Sequence, residues 1–586
     1  MRRVAAVAQL WFALRPDDIV YKAAKAIYQS QTELAAPFAR QGHDLDRRPV
    51  ASERIPVLIV GGGPVGLALA VELGWRGVAC MLLEQGDGRI ATPKMNEVST
   101  RTMEFCRRWG MADQVLNCPF PADYPLDVAF VTSMFGYEMG RVERAPRVGQ
   151  QPEPHSPYRL QACSQIWFDP MLRDMAQSFP HVTLRYRHRL ESFAQTADGV
   201  TAEVLDRDSG KRMPISAGYL VGCDGATSPV REALGIALEG KDVLSNPIHM
   251  YFRAPDLVAK AGKRPATFFL PVDRDGLWGN IRVIDPVNGM WRLMVDATDG
   301  TATPETVDRE GYLRRGMGRP LDVEWLGVSI WKRRSVVAER YGKGRVFLAG
   351  DAVHQLSPTG ALGMNSGVGD AVDLGWKLAA VLQGWGGERL LASYDAERRP
   401  IGVRNVGAAT RFYATNEAFG RGSTALEEDS PAGAAQRATM GDMLVRHVGE
   451  EFRTVGLQLG YRYEDSPICL PDGTPPTADD PESYEPTARP GHRAPHVWLR
   501  DGRTILDLFG RGFALLRFAG APDASAIAAA AQRRNLPLAV HDIAETEAAA
   551  LYQRRLVLVR PDGHVAWRAD AAPSDPLALI DRVRGA

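Results

Sequence analysis

Cysteine is scarce: six in 586 residues, at 80, 106, 118, 163, 223 and 469, and no two are spaced as CxxC. A cysteine-built zinc site and a redox dithiol therefore lack support, and the expectation is reduced, mostly buried thiols in a cytoplasmic protein. Net charge is missing as well, since 70 Lys and Arg balance 70 Asp and Glu. That balance offers nothing that selects nucleic acid or an acidic membrane surface as partner. No apolar run approaches the ~18 residues of an integral membrane segment. The opening "MRRVAAVAQLWFALRPDD" starts like a signal peptide, but "RPDD" stands where a small-residue cleavage site belongs. Residues 1–53 are read as an appended, helix-prone N-terminal arm.

What is present looks like a soluble globular chain, 45% hydrophobic and 24% charged, long enough for several domains. "RIPVLIVGGGPVGLALAVELGWRGVACMLLEQ" reads as strand, glycine turn, helix, strand. The run Val57–Val60 is continuously apolar, as in a parallel strand buried on both faces. G-x-G-x-x-G follows at Gly61, Gly63 and Gly66, with Pro64 opening the helix, and the second strand ends on Glu84, about 20 residues past the motif. Strand before, helix after and terminal acid together make a dinucleotide fingerprint. Gly61 allows the tight turn, Gly63 lets backbone approach a pyrophosphate, Gly66 lets helix and strand pack closely, and Glu84 suits ribose hydroxyls.

Downstream the period changes. "VTLRYRHRLESFAQTADGVTAEVLDRDSGKRMPIS" alternates apolar and polar, with turn signals at Asp198-Gly199 and Asp208–Gly210, and predicts an antiparallel meander. Alternation returns over 241–335 in aromatic-rich runs, predicting a second, mainly antiparallel sheet with His249, Tyr251, Arg282 and Trp291 in it. Alternation by itself makes each of those four a structural or surface residue more readily than a substrate contact. "GRVFLAGDA" gives a buried strand stopping on Asp351, then a glycine-rich loop opens a helical stretch from about 370 to 420. Residues 425–489 show little periodicity and read as a connector, and 490–586 as a compact βαβ-like unit.

Three motifs stand in one order: "GGGPVG" at 61–66, "YLVGCDGATSPVR" at 219–231, and "RVFLAGDAVHQLSPTGALGMNSGVGDAVDLGWKLA" at 345–379. Together they resemble the single-component FAD-dependent aromatic hydroxylases, the p-hydroxybenzoate hydroxylase and phenol hydroxylase group, over about residues 54 to 415. The tail, with "GHRAPHVWL" and "LVLVRPDGHVAWR", resembles the thioredoxin-like C-terminal domain of the phenol and polyketide hydroxylases; lacking Cys after Cys469, it has no dithiol chemistry. The resemblance implies an α/β fold: a Rossmann-like FAD-binding domain (54–240 and 336–424), an inserted mainly antiparallel substrate domain (241–335), and a thioredoxin-like domain (490–586).

It also implies site residues. Asp351 would bind the ribityl or phosphate region, Pro358 would set its carbonyl beside the flavin ring facing substrate, and Gly363, Met364 and Asn365 would present donors to the ring. Arg101, in "TPKMNEVSTRTMEFCRRWG", holds the family's FAD-contacting arginine position, whereas Lys94 and Met95 replace the family's usual Arg and Ala. Gln165 and Asp224 would contact FAD as well; Arg231 is either on the nicotinamide path or a structural salt-bridge partner. His354 is expected to pack or hydrogen-bond within its loop. The implied activity is hydroxylation of a phenolic or polyketide-like aromatic substrate with NADPH or NADH and O2, through a flavin C4a-hydroperoxide. A homodimer is compatible with the sequence. Epoxidation or Baeyer–Villiger oxidation is the alternative on the same fold, and a non-catalytic FAD-binding protein would show damage in "PTGALGMNSG", where none is visible.

Overall fold

The structure, a computed structural model, describes residues 54–297, 301–419 and 421–586. The expected arm 1–53 lies outside the described residues.

The apolar run forms β1 (Ile55–Val60), which leads into α1 (Pro64–Trp75) and then β2 (Cys80–Glu84). Residues Gly66 to Gly74 of α1 are buried on every side, because the helix lies between the sheet and a second long helix. α2 (Thr100–Trp109) follows, capped by the Ser99 side chain and closed by left-handed Gly110. β3 (Arg212–Gly222) pairs in parallel with β1, and β1 with β2. The full order runs Gly342–Lys343, Val346–Leu348, β3, β1, β2, Val182–Tyr186, an eight-stranded sheet once the hairpin partners of β3 are counted. The expected meander is real but starts one strand later. Val182–Tyr186 pairs in parallel with β2, and only from His188 does the chain turn antiparallel, after Arg187 takes φ +56°.

A ten-stranded sheet holds the second alternating region. Its long strand β4 (Leu238–Arg253), with β5 (Gly279–Asp285) and β6 (Met290–Ala297), makes an antiparallel centre in which β6 lies between the other two. The sheet is larger than 241–335. Strand Val128–Val131 joins it by a parallel pairing with Phe268–Asp273 and carries Glu138–Val142 along.

Beyond Val346–Leu348 come α3 (Gly363–Leu382) and α4 (Ala392–Ala418). The stretch expected as a connector contains a further helix, α5 (Pro431–His447), with the N-cap at Ser430 and proline in its first turn. The C-terminal unit has strand order Leu538–Asp542, Phe513–Arg517, Leu556–Val559, Val565–Ala569, the first pair parallel and the others antiparallel, with three flanking helices. That is a thioredoxin-like topology. It packs on α2 and α3: Trp376 lies edge-on to Phe513 with centroids 6.2 Å apart, and Arg493 pairs with Glu104 at 2.5 Å.

Candidate active site

Two helix N-termini meet beside the ends of β1 and β3. The first belongs to α1. Gly61 takes φ +108°, and a Cβ there would strike the Cys223 carbonyl, so the turn from β1 needs glycine. A Cβ on Gly66 would strike the Gly61 carbonyl oxygen, which is how closely helix and strand approach. Gly63 differs. It is the N-cap of α1, its φ of −74° suits any residue, and a Cβ there would meet nothing within 4 Å. Glu84 accepts from the Gly62 N–H at 2.8 Å and the Gly86 N–H at 2.6 Å, which fixes the far wall of the turn.

The second N-terminus belongs to α3. Its start at Gly363 has no side-chain cap and no acidic residue in the first turn, and a Cβ on Gly363 would also meet nothing within 4 Å. α1 likewise lacks a side-chain cap and first-turn acids. Unpaired first-turn N–H groups and two aligned dipoles therefore bring partial positive charge to one place, the arrangement that holds phosphate or an anionic ring edge. The two helices touch there, because a Cβ on Gly367 of α3 would run into Val65 of α1. Asp351 sits in the turn between them. Its side chain is exposed, yet enough protein surrounds it that desolvation pushes its pKa up, with His354 and Lys94 opposing; such a carboxylate stands on the floor of a cleft.

Asp370 of α3 locks that turn. It accepts from the Gly350 N–H at 3.0 Å, from His354 Nε2 at 2.8 Å and from Arg398 Nε at 2.8 Å. Burial alone would raise its pKa, but His354 and Arg398 outweigh burial and hold it low. His354 is thus tied through Asp370 to α3 rather than to a partner in its own loop. These residues fit FAD: open glycine faces at both helix N-termini and a cleft carboxylate between them.

The comparisons agree. Residues 54–409 match the family described as FAD binding domain, and 487–585 the one described as aromatic-ring hydroxylase, C-terminal. Tetracenomycin B2 monooxygenase-dioxygenase of Streptomyces olivaceus is 34% identical over 559 residues, covering 90% of this chain and 98% of that protein. The chain belongs to the FAD-dependent aromatic-ring monooxygenases. Among solved structures, chromopyrrolic acid-soaked RebC with bound 7-carboxy-K252c superposes with a TM-score of 0.86 at 39% identity, covering 91% of this chain and 100% of that one. The flavin-dependent monooxygenase PieE, in complex with FAD and substrate, gives a TM-score of 0.82 at 34% identity, over 91% and 99% of the two chains.

Several residues expected at the cofactor of this monooxygenase make hydrogen bonds within the chain. Arg101 donates to Glu104 at 2.6 Å, to the Tyr461 hydroxyl at 3.3 Å and to the Asp562 carbonyl at 2.9 Å, joining α2 to the C-terminal domain. Gln165 accepts from the Lys94 N–H at 2.8 Å and donates to Asp169 at 2.9 Å. Asp224 accepts from the Ser228 hydroxyl at 2.6 Å and the Val230 N–H at 2.9 Å, closing its own turn. The Asn365 amide accepts from the Ser99 N–H at 2.9 Å and the Thr102 hydroxyl at 2.8 Å, and donates to the carbonyls of Glu97 and Ala361 at 3.2 and 2.8 Å. The Pro358 carbonyl accepts from the Ala361 N–H at 3.1 Å. Arg231 donates to the carbonyls of Ala226 and Ala352, both at 3.3 Å.

Gln165 and Asn365 thereby clamp one segment, residues 93–99, between the cofactor half and the ten-stranded sheet. On the sheet side, the Tyr251 hydroxyl donates to the Pro93 carbonyl at 2.8 Å, and Arg282 meets Glu97 at 3.3 Å. Register places Tyr251 opposite Arg292, His249 opposite Met294, and Arg292 and Met294 opposite Arg282 and Asn280. With side chains alternating along each strand, these six share one face, toward the 93–99 segment. The Trp331 indole N–H donates to His249 Nε2 at 3.2 Å, and His249 Nδ1 faces the Tyr251 hydroxyl at 3.3 Å, which suits the neutral ring. Desolvation first, then Arg292, Arg333 and Lys94, keep the His249 pKa well below the ordinary value. Of the four residues singled out in the sequence, His249, Tyr251 and Arg282 lie on this face, whereas Trp291 alternates to the other, its indole N–H donating to the Ala254 carbonyl at 3.1 Å; Arg292 and Asn280 were not named, and strand register was the signal that would have found them.

Proposed function

We propose that the protein is an NAD(P)H-dependent hydroxylase that inserts one atom of O2 into an electron-rich aromatic ring held on the polar face of β4, β5 and β6. The observation that carries this reading is the open N-terminus of α3, free of acids and capping side chains, set across the 93–99 segment from that face. FAD, when bound, supplies acceptance of hydride from the nicotinamide and activation of O2 for transfer to the ring. The chain's own residues do the rest. The first-turn N–H groups of α1, with Gly63 between them, take the pyrophosphate, and Glu84 faces the adenosine ribose. Asp351 meets the ribityl hydroxyls. The backbone of Gly363, Met364 and Asn365 faces the ring edge where negative charge collects on reduction. Pro358 lines the substrate side. The sheet and the 93–99 segment exclude water and orient the substrate ring.

The test is direct. Purified yellow protein is mixed with NADH or NADPH and a panel of phenols and fused-ring phenols under air. Substrate-stimulated oxidation of the nicotinamide, with hydroxylated product exceeding hydrogen peroxide, is expected for at least one aromatic class. If no aromatic compound stimulates oxidation, or if oxygen always leaves as peroxide, the reading fails.

A further inference from the structure

Two cysteines far apart in the sequence meet beside a cation. The Cys118 thiol donates to the Ala162 carbonyl at 3.3 Å, which sets its sulfur next to Cys163, close enough for the two thiols to hydrogen-bond. Arg147 Nη1 lies 3.4 Å from the Cys118 sulfur. The same guanidinium donates to the carbonyls of Val115, Leu116, Cys118 and Phe120, at the end of the short helix Ala112–Leu116. No carboxylate among the described residues pairs with it, and its Nε is buried without a hydrogen bond. Its charge therefore stays free to act on the one sulfur it faces. Arg560 makes the contrast: it lies 3.5 Å from the Cys469 sulfur but pairs with Glu397, Asp373 and Asp562 at 2.6, 3.1 and 2.7 Å.

The two thiols are placed for different roles. The hydrogen bond from Cys163, with Arg147 beside it, brings the Cys118 thiol down to about 6 although burial opposes this. That same hydrogen bond, then burial, holds the Cys163 thiol well up. Burial pushes Cys80 up to about 12, and Cys106 and Cys223 upward as well. Cys118 is 5% exposed and stands between exposed Asn117 and Pro119, just beneath the surface, whereas Cys163 is fully buried. The thiolate is the nucleophile, and a cation close to a thiol near solvent favours it.

We propose that Cys118 and Cys163 form a peroxide-reactive pair that closes to a disulfide. The oxidant is hydrogen peroxide, the by-product when reduced flavin meets O2 and oxygen transfer fails. The Cys118 thiolate attacks one peroxide oxygen, the O–O bond breaks, and the departing hydroxide takes a proton to become water. The Cys163 sulfur then attacks the sulfur of the Cys118 sulfenic acid, the S–O bond breaks, and a second water leaves with the Cys163 proton. Two thiols lose two electrons and one peroxide becomes two waters. The bond would act on the site. The Cys163 N–H donates to the Asn96 carbonyl at 3.1 Å and Gln161–Ala162 pairs with Glu97–Val98, so the disulfide ties the chain after helix Ala112–Leu116 to the 93–99 segment.

The experiment treats FAD-loaded enzyme with a small excess of hydrogen peroxide, alkylates the remaining thiols and maps every cysteine by mass spectrometry. A Cys118–Cys163 disulfide forms and dithiothreitol reverses it, while Cys80, Cys106, Cys223 and Cys469 stay open to alkylation after unfolding. Cys163→Ser stops at a sulfenic acid on Cys118, trapped by dimedone, and Cys118→Ser leaves Cys163 a thiol. Arg147→Gln, which keeps donors for the carbonyls but removes the charge, slows loss of the Cys118 thiol ~10-fold. No disulfide, faster oxidation of another cysteine, oxidation of Cys163 in Cys118→Ser at the wild-type rate, or an unchanged rate in Arg147→Gln each overturns the proposal. The source of peroxide rests on the hydroxylase reading, and the thiol pair does not. NAD(P)H under air without aromatic substrate should form the same disulfide, and catalase should prevent it. A disulfide with added peroxide but none during nicotinamide oxidation tells against that reading and leaves the pair standing.

Discussion

Gly63 and Gly66 lie three residues apart in one motif, and substitution should affect them in opposite ways. At Gly63 an added side chain meets nothing within 4 Å and the backbone angle suits any residue, so Gly63→Val should cost the fold at most ~1 kcal/mol, the difference between a good and a poor N-cap. The branched side chain instead occupies the space over the first turn of α1, where a pyrophosphate would come within hydrogen-bond distance of the N–H groups. Losing two charge-assisted bonds there is worth about 3–6 kcal/mol, or roughly 10²- to 10⁴-fold in the FAD dissociation constant. At Gly66 the Cβ runs into the Gly61 carbonyl oxygen and lies 3.3 Å from the Cys223 Cβ. Neither neighbour is the end of a flexible chain, so strand and helix must part, at about 1–3 kcal/mol or more for overpacking. Thermal melting of apoprotein and fluorescence titration with FAD separate the two effects. Gly63→Val should melt like wild type and bind FAD poorly; Gly66→Ala should melt several degrees lower. If Gly63→Val bound FAD with wild-type affinity, the pyrophosphate would not lie at the start of α1 and the cofactor placement would be wrong.

Glu84→Ala should lower FAD occupancy of purified protein by losing about 1–3 kcal/mol of binding, with the fold intact by circular dichroism. Asp351→Ala should weaken FAD binding by a similar ~1–3 kcal/mol, read by equilibrium dialysis; unchanged affinity would remove Asp351 from the site. Gly363→Val should still admit the adenine end but push nicotinamide oxidation toward peroxide, measured as product formed per nicotinamide consumed; full coupling would rule out the start of α3 as the flavin edge. Glu104 gives a pH test: although burial works to raise its pKa, Arg493 and Arg101 bring it from 4.5 down to about 2. Because the folded value is the lower one, its stabilisation is complete above pH 4.5 and fades as pH falls toward about 2. Integrated over that shift it is worth about 3 kcal/mol, so Glu104→Gln should flatten the acid limb of a plot of melting temperature against pH.

The part of the site legible in the sequence is the part made of backbone. Gly61 and Gly66 answer to local geometry and Gly63 leaves open space over the first turn of α1, so their spacing announces the turn wherever it occurs. The sheet face was legible only as alternation. Period two divides β4, β5 and β6 into two faces, but which face meets the cofactor half depends on the 93–99 segment, clamped by Gln165 and Asn365 from far along the chain. α5 was hidden for a different reason. It approaches strand Glu138–Val142 through Gly441, where a Cβ would strike the Met139 carbonyl, and Gly140, where one would lie 2.9 Å from Val445. A helix seated by glycines leaves a weak apolar stripe, and Ser430-Pro431 was its only clear signal.

Arg101, Gln165, Asp224 and Asn365 share a physical role. Each holds a stretch of main chain: the junction with the C-terminal domain, the 93–99 segment, the turn after β3, and the join between α2 and the start of α3. A flexible side chain that grips a ligand must itself be ordered when the ligand arrives, whereas a main-chain N–H braced beforehand costs nothing further to present. The side chains hold still the helix ends whose bare N–H groups face the cleft.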